Sequence, residues 1–250
     1  MRKISIYLLL SGMSIICFAG RNPSPKWIDL GVKISYSPNI LFNLNQFNDN
    51  IYSPKYSAGY VFGGKLGFNF NDEHQIIVEG LHAMRNYEID LKSELISGTQ
   101  LFKHTSLDIP LLYRKNDSNG GYFEIGPQLS LYNNPEIEFD GTTLGGDYSD
   151  ELVKNNYAAV MGFGQYVGLG DKLGFMFGFR FGYNLTDIIS KDYQTDAGSF
   201  LYTPITEEAV ESFEYEATNP MFAMVTLEFN FDLGYMVSSK CGKSTKFMLF

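Results

Sequence analysis

Charged side chains recur at alternate positions of segments in which every other residue is large and apolar, so they share one face of a β-strand pattern. Nine residues fit this description: Asp29, Lys33, Lys65, Glu79, Asp108, Glu124, Arg180, Glu228 and Asp232. Six acids and three bases on one face could form a conduction path or a proton relay. They could also serve structure alone, because charges withdrawn from water must pair with one another. The number of strands that enclose them decides between these roles.

Histidine is the side chain best suited to acid–base chemistry near neutral pH, and the sequence has three. His74 falls in a predicted tight turn, whereas His82 and His104 fall within or near strands and could approach one another at one rim, as a catalytic set must. The sequence contains no nucleophile elbow, no paired metal-ligand motif and no Gly-x-x-x-x-Gly-Lys-Ser/Thr phosphate loop. We therefore expect no enzymatic activity, no metal and no cofactor.

The elements that hold these residues are strands, and the stretch LGFMFGFRFGYN from Leu173 to Asn184 is the clearest of them. Leu, Phe and Tyr take every second position, and Gly, Met, Arg and Asn fill the gaps, which is the two-residue period of a β-strand. Eight segments carry this pattern, some less regularly: Trp27–Tyr36, Gly59–Phe70, Gln75–Ile89, His104–Arg114, Tyr122–Tyr132, Asn156–Gly168, Leu173–Asn184 and Met221–Leu233.

The connections between the eight segments alternate strictly between long and short. Three are tight turns, at Asn71–His74, Asn116–Gly121 and Leu169–Lys172. Four are long, at Ser37–Ser57, Asp90–Lys103, Asn133–Asn155 and Thr186–Asn219. A soluble sandwich has no reason for this alternation, whereas an outer-membrane barrel combines an even number of strands with short periplasmic turns and long external loops.

We therefore predict an all-β fold, a closed antiparallel eight-stranded transmembrane β-barrel with both termini in the periplasm. Hydrocarbon offers no water to backbone groups, so only a sheet without free edges can cross it. The predicted lipid-facing wall includes Phe175, Phe177, Phe179, Phe181, Leu227, Phe229 and Phe231. Because eight strands leave an interior that side chains just fill, we expect the nine charged residues to form a structural network inside the barrel.

The amino terminus has the pattern of a secretory signal peptide. The segment MRKISIYLLLSGMSIICFAG has two basic residues, a short apolar core and small residues at Ala19 and Gly20. Ile16 does not fit the lipoprotein signal that would anchor Cys17, so Cys241 is expected to be the one cysteine of the mature chain. The predicted parts are a cleaved signal at 1–20, the barrel at 21–237 and a periplasmic tail at 238–250.

The charge balance of the chain is acidic. Cleavage of the signal removes two of the 19 basic residues and none of the 28 acidic ones, so the formal charge falls from −9 to −11, which argues against nucleic acid as a partner. Half of the acids fall in the long connections at 133–155 and 186–219. These loops could bind divalent cations, capture a basic partner, or simply be solvated, and they show no calcium-loop spacing. The partners expected of the wall and loops are outer-membrane lipid and lipopolysaccharide.

Three stretches resemble the PorT-like outer-membrane β-barrel family: IIVEGLHAMRNYEID (Ile76–Asp90), SLDIPLLYRKNDSNGGYFEIGPQLSLY (Ser106–Tyr132) and GFRFGYNLTDI (Gly178–Ile188). The family pattern has a Glu in the third strand, an acidic residue before Ile-Pro-Leu-Leu in the fourth, Gly-Pro in the fifth and a Tyr-x-Leu-Gly-Leu-Thr-x-Ile-like ending in the seventh. These features fall on Glu79, Asp108–Leu112, Gly126–Pro127 and Tyr183–Ile188.

The resemblance implies an eight-stranded barrel that is secreted and then inserted by the barrel-assembly machinery. It favours a non-enzymatic scaffold or receptor-like component, with a secretion-system or surface protein as partner. A narrow channel for small solutes is the alternative, and a rim-site lipid-modifying enzyme is the third. The family usually ends on the aromatic end of the last strand, whereas SSKCGKSTKFMLF follows Val237 here. The assembly signal therefore lies either at Phe229, Phe231 and Tyr235 or at Phe250.

Overall fold

The computed structural model describes residues 27–44, 52–71, 73–92, 97–143, 152–168, 173–193, 216–238 and 245–248. Eight long strands dominate it: β1 Ile28–Phe42, β2 Ser57–Asn69, β3 His74–Lys92, β4 Ser97–Asn116, β5 Gly121–Phe139, β6 Asn155–Gly168, β7 Leu173–Asn184 and β8 Asn219–Leu233. In the described part of the chain, no helix has the length and apolarity that a membrane span requires. The predicted signal at 1–20 lies outside the described residues.

Each long strand pairs antiparallel with its neighbours in sequence, and β1 closes the sheet by pairing with β8 from Ile28↔Leu233 to Phe42↔Asn219. The described order is therefore an up-and-down ring of eight strands, which confirms the predicted fold. The strand ends Ile28 and Leu233 lie at the same end of the barrel as the short turns after β2 and β4. By the rule for outer-membrane barrels that end is periplasmic, and the other is extracellular.

The two faces of each strand differ as a membrane wall requires. Along β7 the phenylalanines and Tyr183 point outward, while Gly174, Met176 and Arg180 are buried inside. Outward apolar side chains are widely exposed around the ring, with Val32 61% and Tyr60 60% accessible. The residues predicted to face lipid all lie on this outer face: Phe175, Phe177, Phe179, Phe181, Leu227, Phe229 and Phe231. Hydrocarbon is the solvent that makes so apolar an outer surface stable.

Three strands run further than predicted at the extracellular end. β1 continues to Phe42, β4 begins already at Ser97, and β5 reaches Phe139, so parts of three predicted loops are strand. In the added parts of β4 and β5 outward positions such as Lys103 and Glu136 are polar, which removes the apolar alternation on which the prediction relied. In β1 the alternation is lost because the outward Ile40 and Phe42 flank an inward apolar residue, Leu41. A bulge at Asn134, whose φ is 50°, shifts the β4–β5 register between Lys103 and Thr105.

The longest strands form an extracellular extension, made of residues 86–92 of β3, 97–103 of β4 and 134–139 of β5. Short strands cover its two sides, with Tyr52–Lys55 paired to β3 and Thr142–Thr143 paired to β5. Lys55 Nζ lies 2.6 Å from Asp90 Oδ2, and this hydrogen bond holds the pKa of the Asp90 carboxyl below its usual range. The extension therefore carries a charged, hydrogen-bonded outer face above the lipid belt.

A separate hairpin follows the barrel. Gly234 adopts a φ of 73°, which turns the chain away from β8. Tyr235–Ser238 then pairs with Thr245–Met248 as a two-stranded sheet of its own. The predicted tail at 238–250 thus contains one strand of this hairpin.

Candidate functional site

The barrel lumen contains eight of the nine charged residues that the sequence predicted to face inward. Each is at most 5% exposed: Asp29, Lys33, Lys65, Glu79, Asp108, Glu124, Arg180 and Glu228. The ninth, Asp232, is half-buried at the periplasmic end of β8 and lies opposite Asp29 in the β1–β8 register. The charged residues that the sequence predicted to face inward are therefore brought together in the lumen.

Six buried charges from six different strands alternate in sign around a closed circuit, which we call the ionic ring. In order, its members are Glu79, Lys33, Glu228, Arg114, Glu124 and Arg180. Three carboxylates and three cations thus satisfy one another within the ring. Such mutual pairing is the condition under which buried charges are tolerated.

Four of the six ion pairs of the ring connect Glu79 on β3 to Glu124 on β5. Lys33 Nζ contacts Glu79 and lies 3.1 Å from Glu228 Oε2. Arg114 Nη2 lies 3.3 Å from Glu228 Oε2 and 2.8 Å from Glu124 Oε2. Every one of these side chains is essentially closed to solvent, so each cation is held between two carboxylates inside the lumen.

Two ion pairs of the ring cross the full width of the barrel. Arg180 on β7 places Nη1 2.6 Å from Glu79 Oε2 on β3, and its Nη2 lies 2.6 Å from Glu124 Oε1. Strands β3 and β7 are four apart in a ring of eight, and so are β4 and β8, which Arg114 and Glu228 join. These diametric pairs occupy the axis of the lumen.

A branch extends the ring toward the periplasm. Lys65 Nζ contacts Glu228 and lies 2.8 Å from Asp29 Oδ2, which also accepts a 2.9 Å hydrogen bond from Gln75 Nε2. With this branch the cluster has four acids and four bases, so its formal charge is zero. Seven of the eight strands contribute a charged side chain to it.

Small residues on β6 and β7 provide the space for the long side chains. A Cβ added at Gly162 would lie 2.8 Å from Glu124 Oε1, and one at Gly164 would overlap the ring of Tyr122. The Arg114 guanidinium stacks over the same Tyr122 ring, 4.3 Å from its centroid. The glycine-rich inner face of this part of the wall is therefore matched to the ring that it surrounds.

Sequence reasoning missed two interior cations, Arg114 and Arg85. Both lie in the same alternation as predicted residues, since Arg114 follows Asp108 by six positions and Arg85 follows Glu79 by six. Both are at most 2% exposed. The signal that could have found them was the charge imbalance of the predicted set, because six acids facing three bases cannot all be paired in a closed lumen.

Above the ring, toward the extracellular end, lie an apolar layer and a second ion pair. Leu81 and Ala83 on β3 separate Glu79 from Arg85, and they belong to a buried apolar cluster. Arg85 Nη2 lies 2.5 Å from Asp108 Oδ2. Arg85 Nη1 donates a 3.1 Å hydrogen bond to Asn39 Oδ1. Arg85 Cζ lies 4.1 Å from the centroid of the Phe222 ring. This pair is therefore independent of the ionic ring.

The extracellular end of the lumen contains a second apolar cluster, which we call the extracellular cluster. Its members are Leu41, Tyr87, Ile89, Leu91, Phe102, Ile137, Leu152, Ile188 and Ile189. Leu152 and Ile189 come from the connections that flank β6 and β7 and are joined by an isolated bridge. Residues of the predicted loops thus fold over the opening instead of leaving it free.

The histidines do not converge, so the expectation that His82 and His104 approach one another is wrong. His82 points outward and touches the Phe62 ring, with 5.1 Å between centroids. His104 points inward, is 2% exposed, and lies 4.3 Å from the Tyr132 ring centroid. They occupy opposite faces because their positions have opposite phase in the β3–β4 register, in which His82 faces Leu107.

His74 lies at the first position of β3, where its Nδ1 is 2.6 Å from the Tyr113 hydroxyl. It stacks on the same ring at the periplasmic rim. Among the described residues, no group of three or more His, Cys, Asp or Glu is placed to hold a metal ion.

Several acids assigned to long loops have structural partners. Glu136 and Glu138 lie on β5, and Glu138 Oε1 is 2.5 Å from Lys103 Nζ. Asp140 Oδ1 accepts a 2.8 Å hydrogen bond from the Thr99 amide. Most of the remaining loop acids, between 144 and 151 and between 194 and 215, lie outside the described residues.

Closure of the sheet, the outward apolar belt and the packed polar lumen together define a transmembrane β-barrel of the outer-membrane class. The family model described as "Outer membrane protein beta-barrel domain" matches residues 21–190. The chain therefore belongs to the outer-membrane protein β-barrel domain family, and its location is the outer membrane.

Three solved bacterial outer-membrane structures are distantly similar to this chain. OprG from Pseudomonas aeruginosa is 10% identical, covers 85% of this chain and 100% of its own, and gives a TM-score of 0.45. Neisserial surface protein A is 10% identical over 81% of this chain and 96% of its own, with a TM-score of 0.41. The translocator domain of NalP from Neisseria meningitidis is 8% identical over 91% of this chain and 95% of its own, with a TM-score of 0.35. No curated protein matches the sequence.

Proposed function

We propose that this chain is a non-conducting, non-enzymatic scaffold or receptor-like protein of the outer membrane, whose working surface is the extracellular extension. One observation carries the proposal: the diametric pairs Arg180–Glu79 and Arg114–Glu228 cross the lumen on its axis. A solute would have to break both pairs to pass, and leaving a buried charge without its partner costs about 3–5 kcal/mol.

The extracellular cluster gives the proposal a second support. Leu152, Ile188 and Ile189 are at most 5% exposed and lie against the inner face of the extension. They fix the extension as a rigid platform above the membrane. Rigid elements that project beyond a membrane and carry polar outer faces are suited to binding a partner.

The resemblance to the PorT-like family supports a role in assisting protein secretion, with a secretion-system or surface protein as the partner. The outer face of the extension suits such a partner, because Glu88, Asp90, Glu136 and Glu138 face outward with Lys55 and Lys103 among them. Mixed charge of this kind steers and orients a protein partner. The opposite facing of His82 and His104 weighs against a rim-site enzyme.

Planar-bilayer recording tests the absence of conduction. The mature chain, labelled with a fluorophore on Cys241, is reconstituted, and inserted barrels are counted by fluorescence in the same membrane. We expect no steady unitary current at any barrel number. Current steps whose number rises with the count of inserted barrels would contradict the proposal and favour the narrow channel.

Crosslinking in intact cells tests the receptor-like part of the proposal. A photo-reactive amino acid placed at Glu136, on the outer face of the extension, should capture a surface or secretion-system protein. The same group at Phe177, in the apolar wall, serves as the matched control and should capture lipid. Equal protein capture at both positions, or none at Glu136 and its neighbour Glu138, would contradict a partner surface on the extension.

A further inference from the structure

One imidazole lies on the outer face of the barrel, well inside the apolar belt. His82 points outward from β3 and is exposed. Asn86, the first polar residue beyond it on that face, is four positions away, about 13 Å along the strand. The outward neighbours of His82 on β3 are apolar or glycine: Ile76, Val78, Gly80 and Met84. His82 is therefore surrounded by lipid chains and lies away from the head groups.

His82 is an exception on this surface. Between the periplasmic rim and the extracellular extension, no other outward residue of the described strands is His, Lys, Arg, Asp or Glu. Two outward amide or hydroxyl side chains occur there, and the chain itself satisfies both. Thr105 Oγ1 donates to the Asn133 carbonyl oxygen at 3.2 Å, and Gln165 Nε2 donates to the Asn119 carbonyl oxygen at 2.9 Å. An ionisable side chain at membrane depth marks a functional contact and needs a polar partner.

The described part of the chain does not supply that partner. His82 touches the Phe62 ring, with 5.1 Å between centroids, and no hydrogen bond or ion pair joins it to another described residue. Lipid chains have neither donors nor acceptors, so a polar group left among them without a partner is strongly unfavourable. The partner of His82 must come from another protein chain at the same depth.

A second copy of this chain meets the requirement of depth by symmetry. All copies insert with the same orientation, so a two-fold axis that relates two of them runs along the membrane normal and keeps every residue at its own depth. The neutral imidazole has one N–H donor and one nitrogen acceptor. Two facing His82 side chains can therefore satisfy each other, whereas an unrelated partner would need a polar side chain of its own at this level.

The wall beside His82 allows a second barrel to come close. Gly80 precedes His82 on the outward face and pairs with the outward Gly64 of β2, so two adjacent strands carry no side chain there. The fold does not require either glycine, because a Cβ at Gly80 would meet no atom within 4 Å and one at Gly64 only the Gly31 carbonyl oxygen, at 3.7 Å. Small residues let membrane-embedded segments pack with their backbones close together. The side chains around the two glycines are aliphatic and complete an apolar contact surface: Leu30, Leu66, Val78, Leu107 and Ile109.

We propose that this chain forms a two-fold dimer in the membrane through the β2–β3 face of its wall. His82 of each copy is hydrogen-bonded to His82 of the other, and Gly64 and Gly80 lie where the two barrels approach most closely. The interface uses the outer wall alone, so the packed lumen of each copy is unchanged. The dimer goes beyond the scaffold role and does not depend on it. It leaves Glu136 and Glu138 accessible, because β5 is two strands further round the ring than β3.

Förster transfer between donor-labelled and acceptor-labelled copies tests the proposal. The mature chain, labelled on Cys241, is reconstituted in vesicles of phosphatidylethanolamine and phosphatidylglycerol at decreasing protein-to-lipid ratios. We expect transfer that persists on dilution and rises linearly with the acceptor fraction, as for a dimer. Transfer that falls in proportion to dilution, as random proximity requires, would overturn the proposal.

Variants of the interface separate its two components. His82→Leu removes the hydrogen bond and keeps an apolar side chain, so it should raise the dissociation constant about threefold to twentyfold, the range for one hydrogen bond inside a membrane. His82→Gln retains a donor and an acceptor and should retain more of the affinity than His82→Leu. Gly80→Leu and Gly64→Leu hold the two walls apart and should abolish the transfer that persists on dilution.

Ala159→Leu is the matched control, since it adds the same side chain to the outward face of β6 and should leave transfer unchanged. Unfolding in excess micelles, where the copies are separated, checks that every variant folds. Equal dissociation constants for the wild type, His82→Leu and both glycine variants would overturn the proposal, because the dimer would then use another face. Loss of transfer in Ala159→Leu to the same extent as in Gly80→Leu would also overturn it.

Discussion

Arg180 on β7 and Glu124 on β5 are joined across the strand that lies between them. The Nε and Nη2 atoms of Arg180 donate to Glu124 Oε1 at 2.8 and 2.6 Å. Strand β6 intervenes, and its residue at this level is Gly162, which pairs with Glu124 on one side and with Arg180 on the other. The link exists because β6 presents no side chain there.

Gly162→Leu is therefore expected to destabilise the barrel. The added Cβ would lie 2.8 Å from Glu124 Oε1 and 3.0 Å from the Phe179 carbonyl oxygen, so the ring or the backbone must move. Overpacking of this kind costs about 1–3 kcal/mol. Urea unfolding in micelles, followed by Trp27 fluorescence, measures the loss. Gly80→Leu adds the same side chain to open space and should unfold like the wild type, whereas equal losses would contradict the proposed fit.

Glu79→Gln tests the ionic ring. The substitution leaves Lys33 and Arg180 inside the lumen with one carboxylate fewer, and breaking a buried pair in this way costs about 3–5 kcal/mol. Glu138→Gln removes one partner of the Lys103–Glu138 pair, which is partly accessible to solvent, and should cost less than about 1 kcal/mol. The free energy of unfolding of both variants gives the comparison. A small loss for Glu79→Gln would mean that water reaches the ring.

Phe177→Arg tests the outward wall. An arginine on the lipid face costs about 2–4 kcal/mol near the bilayer midplane. Glu136→Arg places the same side chain on the outward face of the extracellular extension, where water is available, and should be tolerated. Folding yield into lipid vesicles and unfolding free energy measure the difference. If both variants fold equally well, Phe177 does not face hydrocarbon.

His104→Phe should stabilise the protein. Neither ring nitrogen of His104 has a hydrogen-bond partner in the described part of the chain, although the side chain is 2% exposed and lies among Tyr87, Phe102 and Tyr132. Phenylalanine keeps the aromatic contacts and removes unsatisfied polar atoms, each of which costs about 1–3 kcal/mol when buried.

Tyr132→Phe is the contrasting variant. It removes the hydroxyl that accepts a 2.6 Å hydrogen bond from Asn184 Nδ2, and should destabilise the barrel by about 1–3 kcal/mol. The midpoints of thermal unfolding of the two variants and of the wild type test both expectations. A loss for His104→Phe would mean that the imidazole has a polar role in the extracellular half of the lumen.

The wall and the strand count could be predicted from the sequence because alternation is a local property. The position of each phenylalanine in β7 is enough to assign it to one face of the strand, because the alternation depends only on its near neighbours in sequence. The strand ends were missed for the same reason. In the extension the outward residues include the polar Glu88 and Lys103, and the inward ones include the aromatic Tyr87 and Phe102. The apolar residues therefore occupy inward positions there, although the strand continues.

The pairing inside the lumen could not be predicted, because it depends on closure. Arg180 and Glu79 are 101 residues apart in sequence and lie on opposite walls. The sequence gives the phase of each side chain but not its height relative to the far wall, which the register of all eight strands determines together. A charge count alone would have added Arg114 and Arg85 to the set.

The most direct test of the account is the environment of β7. Phe175, Phe177, Phe179 and Phe181 are each replaced by cysteine in a Cys241→Ser background, spin-labelled and reconstituted in lipid vesicles, and collision rates with oxygen and with a water-soluble nickel complex are measured. The account predicts high oxygen and low nickel collision at every position, with the contrast greatest in the middle of the strand. Low collision with both reagents, as in a face buried against a second sheet, or strong nickel collision throughout would contradict it.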